Sequence, residues 1–127
     1  MNWQDVVLAM AGVVGCGVAV FHGVLTQRLM VVPFGDIADR RMSGTIRRLV
    51  PALLQFSTFN WFLGGLALVA AAVWMGPEAR LATALLVGSS YLFGAVANLW
   101  GTRGRHPGWM LMAAALVLIV LGLYKFG

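Results

Sequence analysis

Acidic residues are scarce: the chain has four Asp and Glu in 127 residues, and charged residues of both signs make up only 10%. Soluble domains carry about 25% charged residues. That deficit excludes an ordinary water-soluble domain. The 61% hydrophobic content equally excludes an intrinsically disordered chain, which needs low hydrophobicity and high charge. There is one cysteine, Cys16, so no internal disulfide framework and no multi-cysteine zinc site is open to it. No carboxylate pair, phosphate-binding glycine loop or evident nucleophile–base pair appears. An enzyme is therefore not expected, and no cofactor or metal is expected.

What is present is apolar sequence in long runs. Four runs, at about residues 6–25, 51–74, 81–100 and 109–124, hold no Asp, Glu, Lys or Arg. A crossing of the hydrocarbon core takes about 20 residues, and a backbone in lipid has to pair internally. The expected fold is all-α: a single domain over 1–127, built as a bundle of four transmembrane helices. The ten-residue alternation of a β-barrel is missing.

The basic residues orient it. Arg28, Arg40, Arg41, Arg47 and Arg48 fall between runs one and two, and Arg103 and Arg105 between runs three and four. Only Arg80 and Lys125 fall on the other side. The positive-inside rule then predicts both termini outside and the longest loop in the cytoplasm, in a bacterial inner membrane. The net charge of +5 thus reads as an orientation signal facing lipid head groups, and nucleic acid is not an expected partner. The start MNWQD has no basic residue, so run one reads as a span and not as a signal or lipoprotein leader.

In the longest loop, Pro33 and Gly35 are expected to stop the first helix, with Asp36 capping a short new one. Arg40-Arg41 and Arg47-Arg48 lie seven apart, which on a helix puts them on one face. The expectation is an interfacial helix whose arginines meet lipid head groups, or a solvated orientation signal with no further role.

Small residues allow helices in lipid to approach closely. Ala11, Gly15, Ala19 and Gly23 recur every fourth residue in run one, and Ser90 and Gly94 begin a similar row in run three. Tight packing faces on these two helices are expected. Four of the five tryptophans sit near span ends, where aromatic belts form, and Trp61 is the deep exception.

Polar groups inside a span are costly and often functional. His22, Gln55 and Asn98, with His106 from the last loop, fall in one layer at the cytoplasmic end. They form either a small ligand-binding pocket or a set of interhelical hydrogen bonds that lock the bundle's register.

The absence of a glutamate in run one excludes the small multidrug exporters. Phe56-Ser57-Thr58-Phe59 locally resembles the filter motif of fluoride channels. Across most of the chain, Phe21-His22-Gly23 and Arg103-Gly104-Arg105-His106-Pro107-Gly108-Trp109 resemble a family of small uncharacterised bacterial membrane proteins with a His-Pro-Gly-Trp element before the last helix. Leu54-Gln55 stands where that family has a Trp-His pair, though Trp61 falls in the expected place. The resemblance implies a fold and a membrane location and no activity.

Two functions are compatible with these features. One is a non-enzymatic accessory or assembly protein that binds another membrane protein through its helix faces and basic loop. The other is a small-ligand or ion binding or permeation unit, a homo-oligomer in the case of permeation, with the polar layer as its vestibule.

Overall fold

The computed structural model describes residues 1–124, and these form four helices without a strand. The expected positive charge at Lys125 lies outside the described residues. Helix α1 runs Trp3–Ala38, α2 Gly44–Trp74, α3 Pro77–Thr102 and α4 Gly108–Leu123. By length and apolarity α1, α2 and α3 are each able to cross a membrane. The 16 residues of α4 are as apolar but reach only about 24 Å.

Each helix has a local reason to begin. Asn2 and Asp5 form a reciprocal capping box at α1. The Ser43 side chain accepts from the Ile46 amide at α2. Pro77 sits in the first turn of α3, where its missing amide costs nothing. At the other end of α3, Arg103 and Gly104 take positive φ values of 52° and 74°, which turns the chain sharply back toward α4.

The first loop departs from expectation. Pro33 and Gly35 do not stop α1. A π-turn at Gln27–Val31 shifts the hydrogen-bond register just upstream, which accommodates the amide that Pro33 lacks, and the helix continues to Ala38. Asp36 lies in the last turn of a helix and caps none. Likewise α2 starts at Gly44 and carries Pro51 in its interior. The two helices therefore form a long hairpin. Arg40 and Arg41 sit in its turn while Arg47 and Arg48 sit on α2, so the two arginine pairs share no helical face. Arg47 instead closes the turn through a 2.7 Å ion pair with Asp39.

Around the bundle the order is α1, α2, α3, α4, with α1 packed on both α2 and α4 and α3 packed on both as well. Successive helices alternate in direction. The chain start, the Met75-Gly76 link and Tyr124 meet at one end, where Asp5 pairs with Arg80 at 2.5 Å and the Gln4 amide donates to the Tyr124 carbonyl. The arginine-rich hairpin turn and the Arg103–His106 loop lie at the other end.

The small residues seat this arrangement. A Cβ on Gly12 would lie 2.4 Å from the Gly65 carbonyl oxygen, so α1 and α2 touch backbone to backbone. Gly23 receives the Thr58 side chain, and Ala11 and Ala19 are fully buried in the core. Cys16 is half-buried in the same seam, its thiol 3.5 Å from the Phe62 carbonyl. The side chain of Tyr91 crosses the bundle from α3: its hydroxyl would stand 1.9 Å from a Cβ on Gly15 and donates to the Trp61 carbonyl at 3.0 Å. Gly15 is thus a notch for a tyrosine rather than a helix contact alone.

Gly15→Leu should destabilise the bundle by at least the 1–3 kcal/mol of ordinary overpacking, about that much being typical of soluble cores. A thermal melt in detergent reads this as a lower transition temperature, and an unchanged melt would refute the notch.

Candidate functional site

At the basic end of the bundle α1 and α2 run on past α3, and a cleft of about 460 Å³ opens between them and α3. His22, Leu25, Thr26, Leu29 and Met30 of α1 form one wall. Phe93, Ala97, Asn98, Gly101 and Thr102 of α3 form the opposite wall. Ser57 and Trp61 of α2 form the floor, and His106 closes the side toward α4. A small cavity of about 20 Å³ behind it is also lined by His22, Trp61, Asn98 and His106.

Three of the four residues singled out in the sequence, His22, Asn98 and His106, thus line one cleft. The fourth, Gln55, does not line it. Its amide donates to the Gly23 carbonyl at 3.1 Å and to Gln27 at 3.3 Å, and its oxygen accepts from Thr58 at 2.9 Å. Gln55 ties α1 to α2 beside the cleft. Ser90 is also elsewhere, accepting from Asn60 at 2.8 Å on the α2–α3 seam, whereas Gly94 gives room to the Trp61 ring.

The histidines are held by different means. His22 Nε2 lies 2.9 Å from Ser57 Oγ and 3.3 Å from Thr26 Oγ1, and its ring stands against Trp61 with centroids 4.5 Å apart. The Ser57 hydroxyl donates to the Leu54 carbonyl at 3.2 Å, so by the logic of the network its oxygen accepts from His22 Nε2–H. That assignment leaves Nδ1 of His22 as an acceptor. His106 is fixed by its own loop: its Nδ1 accepts from the Gly108 amide at 3.0 Å, and its ring stacks on Phe21. An accepting Nδ1 makes Nε2 the protonated nitrogen. A Cβ on Gly108 would come within 2.9 Å of His106 Nδ1, and Trp109 Nε1 donates back to the Gly104 carbonyl at 3.4 Å. The His-Pro-Gly-Trp element is therefore a compact turn that presents His106 to the cleft.

Sequence reasoning found no nucleophile beside a base, yet Ser57 and His22, 35 positions apart, meet here. The pair lacks the rest of a hydrolytic site. Ser57 spends its proton on Leu54, and it sits mid-helix, where backbone amides are already bonded and form no oxyanion hole. Thr26, Thr102, Trp61 and Phe93 were also missed as cleft residues. Thr26 and Thr102 stand four positions after His22 and Asn98, a spacing that places each on its partner's helical face. Among the described residues no group of three His, Cys, Asp or Glu side chains is close enough to hold a metal.

Compared with known protein families, curated proteins and solved structures, the chain matches none.

Because Gln55 bridges helices outside the cleft, Gln55→Leu should lower stability without a change in the cleft's lining. Interhelical hydrogen bonds in membranes contribute about 0.6 kcal/mol on average and at most about 1.7 kcal/mol. A denaturant titration of the purified variant checks this, and an unchanged midpoint would contradict the assignment.

Proposed function

We propose that this chain is a non-enzymatic, multi-pass protein of a bacterial inner membrane that holds a small ligand in the cleft around His22, Asn98 and His106. All four helices cross, both termini face outward, and the hairpin turn with Arg40, Arg41, Arg47 and Arg48 meets lipid head groups on the cytoplasmic side. The observation that carries the reading is the cleft itself: about 460 Å³ of space with polar groups converging on one end and apolar walls around the rest. Ligand sites have this composition and are usually few per protein. Binding is favoured over permeation because the bundle interior is filled by the fully buried side chains of Leu8, Leu68, Tyr91 and Met112.

The long hairpin favours a second reading, an accessory or assembly role toward another membrane protein or a second copy. Beyond the cleft, Val32, Ile37, Leu49 and Leu53 are all more than half exposed on its two helices. Exposed apolar surface on an arm that overhangs the bundle suits a protein partner.

Native mass spectrometry in a lipid-retaining detergent separates the readings. The binding reading expects a retained small-molecule mass that His22→Ala loses while the variant still melts cooperatively. A bare 13.6 kDa monomer that cross-links to another protein in native membranes would instead support the accessory role. Labelling single cysteines placed at Met42 and at Met1 from each side of the membrane tests the orientation. Met42 should react only from the cytoplasmic side, and the opposite pattern would invert the topology.

A further inference from the structure

A second hollow lies next to the cleft along the α2–α3 seam and shares no lining residue with it. A cavity of about 220 Å³ lies between Asn60, Leu63 and Ala67 of α2 and Leu86, Val87 and Ser90 of α3. These residues are the next turns of the same two helices that supply Ser57, Trp61, Phe93 and Ala97 to the cleft. Together they mark a furrow along the α2–α3 seam, about 15 Å from Ser57 to Ala67 at the helical rise, crossed by the 2.8 Å Asn60–Ser90 hydrogen bond. Its outer lips, Leu63, Leu86 and Phe93, are exposed. A ligand with its head in the cleft and a chain lying in this furrow would come from the lipid phase.

The chemistry of the head follows from the cleft's lining. Among the described residues no Asp, Glu, Lys or Arg lines it. An ionised head would find no fixed counter-charge in this lining, which favours a neutral head. Two imidazoles, an indole and a phenyl ring face the space, which suits a flat ring. Hydrogen-bonding capacity is left over. Among the described residues, neither the Trp61 indole N–H nor His106 Nε2–H makes a hydrogen bond, and His22 Nδ1 remains an acceptor. A ring bearing two hydroxyls would accept from the N–H donors and donate to His22 Nδ1, and the same ring with two carbonyls would accept from the donors alone.

We propose that the ligand is a membrane-dissolved quinone or quinol, its ring between Trp61, Phe93 and the two histidines and its isoprenoid chain along the α2–α3 furrow. This inference rests on the ligand-binding reading above and narrows it to one chemical class.

The test uses the full chain in nanodiscs of defined phospholipid, titrated with a decyl-substituted benzoquinone, with quenching of tryptophan fluorescence as the readout. The wild type should show saturable quenching above the linear background of partitioning. Gly101→Leu fills the cleft at a position where a Cβ meets nothing within 4 Å, so it should fold as the wild type and raise the apparent Kd at least tenfold. Ala97→Leu on the same wall serves if that variant does not fold. Organic extracts of the purified wild type are analysed in parallel for bound lipids. Saturable quenching lost in the filled variant supports the proposal. A co-purifying phospholipid or fatty acid that the filled variant loses, without saturable quinone quenching, overturns the quinone assignment and leaves the cleft as a binding site. Equal linear quenching in both proteins, with no co-purifying molecule, overturns both readings.

Discussion

One side chain sets the heights of three helices against each other. Tyr91 leaves α3, fills the space that Gly15 leaves on α1, and donates its hydroxyl proton to the Trp61 carbonyl on α2. It is fully buried. In lipid there is no hydrophobic drive to bring helices together, so shape and internal hydrogen bonds carry the selection of one register. A phenol does both at once, giving a large apolar body with a polar tip that has to find a partner. With Trp61 placed by its own carbonyl, the indole ring lies over Gly94 and against His22, and it becomes the floor of the cleft. The candidate site is in this sense a consequence of the core.

The polar groups at the two ends of the bundle have different tasks. At the chain-terminal end Asp5 and Arg80 pair with each other, the Arg80 guanidinium also donates to the Ala72 carbonyl, and both side chains are largely covered. That end is tied together by charge. At the basic end Arg28, Arg40, Arg41, Arg47 and Arg48 of the hairpin are exposed, and His22 beneath them is held by the hydroxyls of Ser57 and Thr26. The cation-rich end is the one left open.

Much of this was legible from residue order, and the misses have physical causes. The apolar runs gave the helices because a backbone in lipid has few alternatives. Ala11, Gly15, Ala19 and Gly23 gave the packing face of α1, since only small residues allow such approach. His22, Asn98 and His106 stood out as polar groups where polar groups are costly. Helix boundaries failed where a local rule met a compensating device: Pro33 reads as a breaker, but the π-turn before it absorbs the lost hydrogen bond. Gln55 has the right depth and the wrong azimuth, because depth follows from counting while azimuth depends on which neighbour a helix chooses. Tyr91 reads as one more apolar residue in an apolar run. Its signal was its isolation: a lone phenol in mid-span, away from both interfacial belts, needs an internal acceptor. The Ser57–His22 contact spans two helices, and no local pattern encodes it.

The cleft itself arises from unequal helix lengths. The hairpin helices have 36 and 31 residues, about 54 and 46 Å, whereas α4 has 16, about 24 Å. The hydrocarbon core is about 30 Å thick. A bundle of four equal helices would close its own end with side chains. Here α3 is halted at Thr102 by the left-handed pair Arg103-Gly104, and the chain turns back through His106 and Pro107 before α4 begins. The corner above α3 and α4 is left without a helix while α1 continues past it with Leu29 and Met30 turned toward the gap. Gly94, Ala97 and Gly101 keep the facing wall of α3 low, and larger residues there would fill the space from the other side. The stop signal, the small residues and the overrunning hairpin are three independent features of the sequence, and each of them enlarges the same void. Their agreement on one place supports the proposed ligand-binding reading.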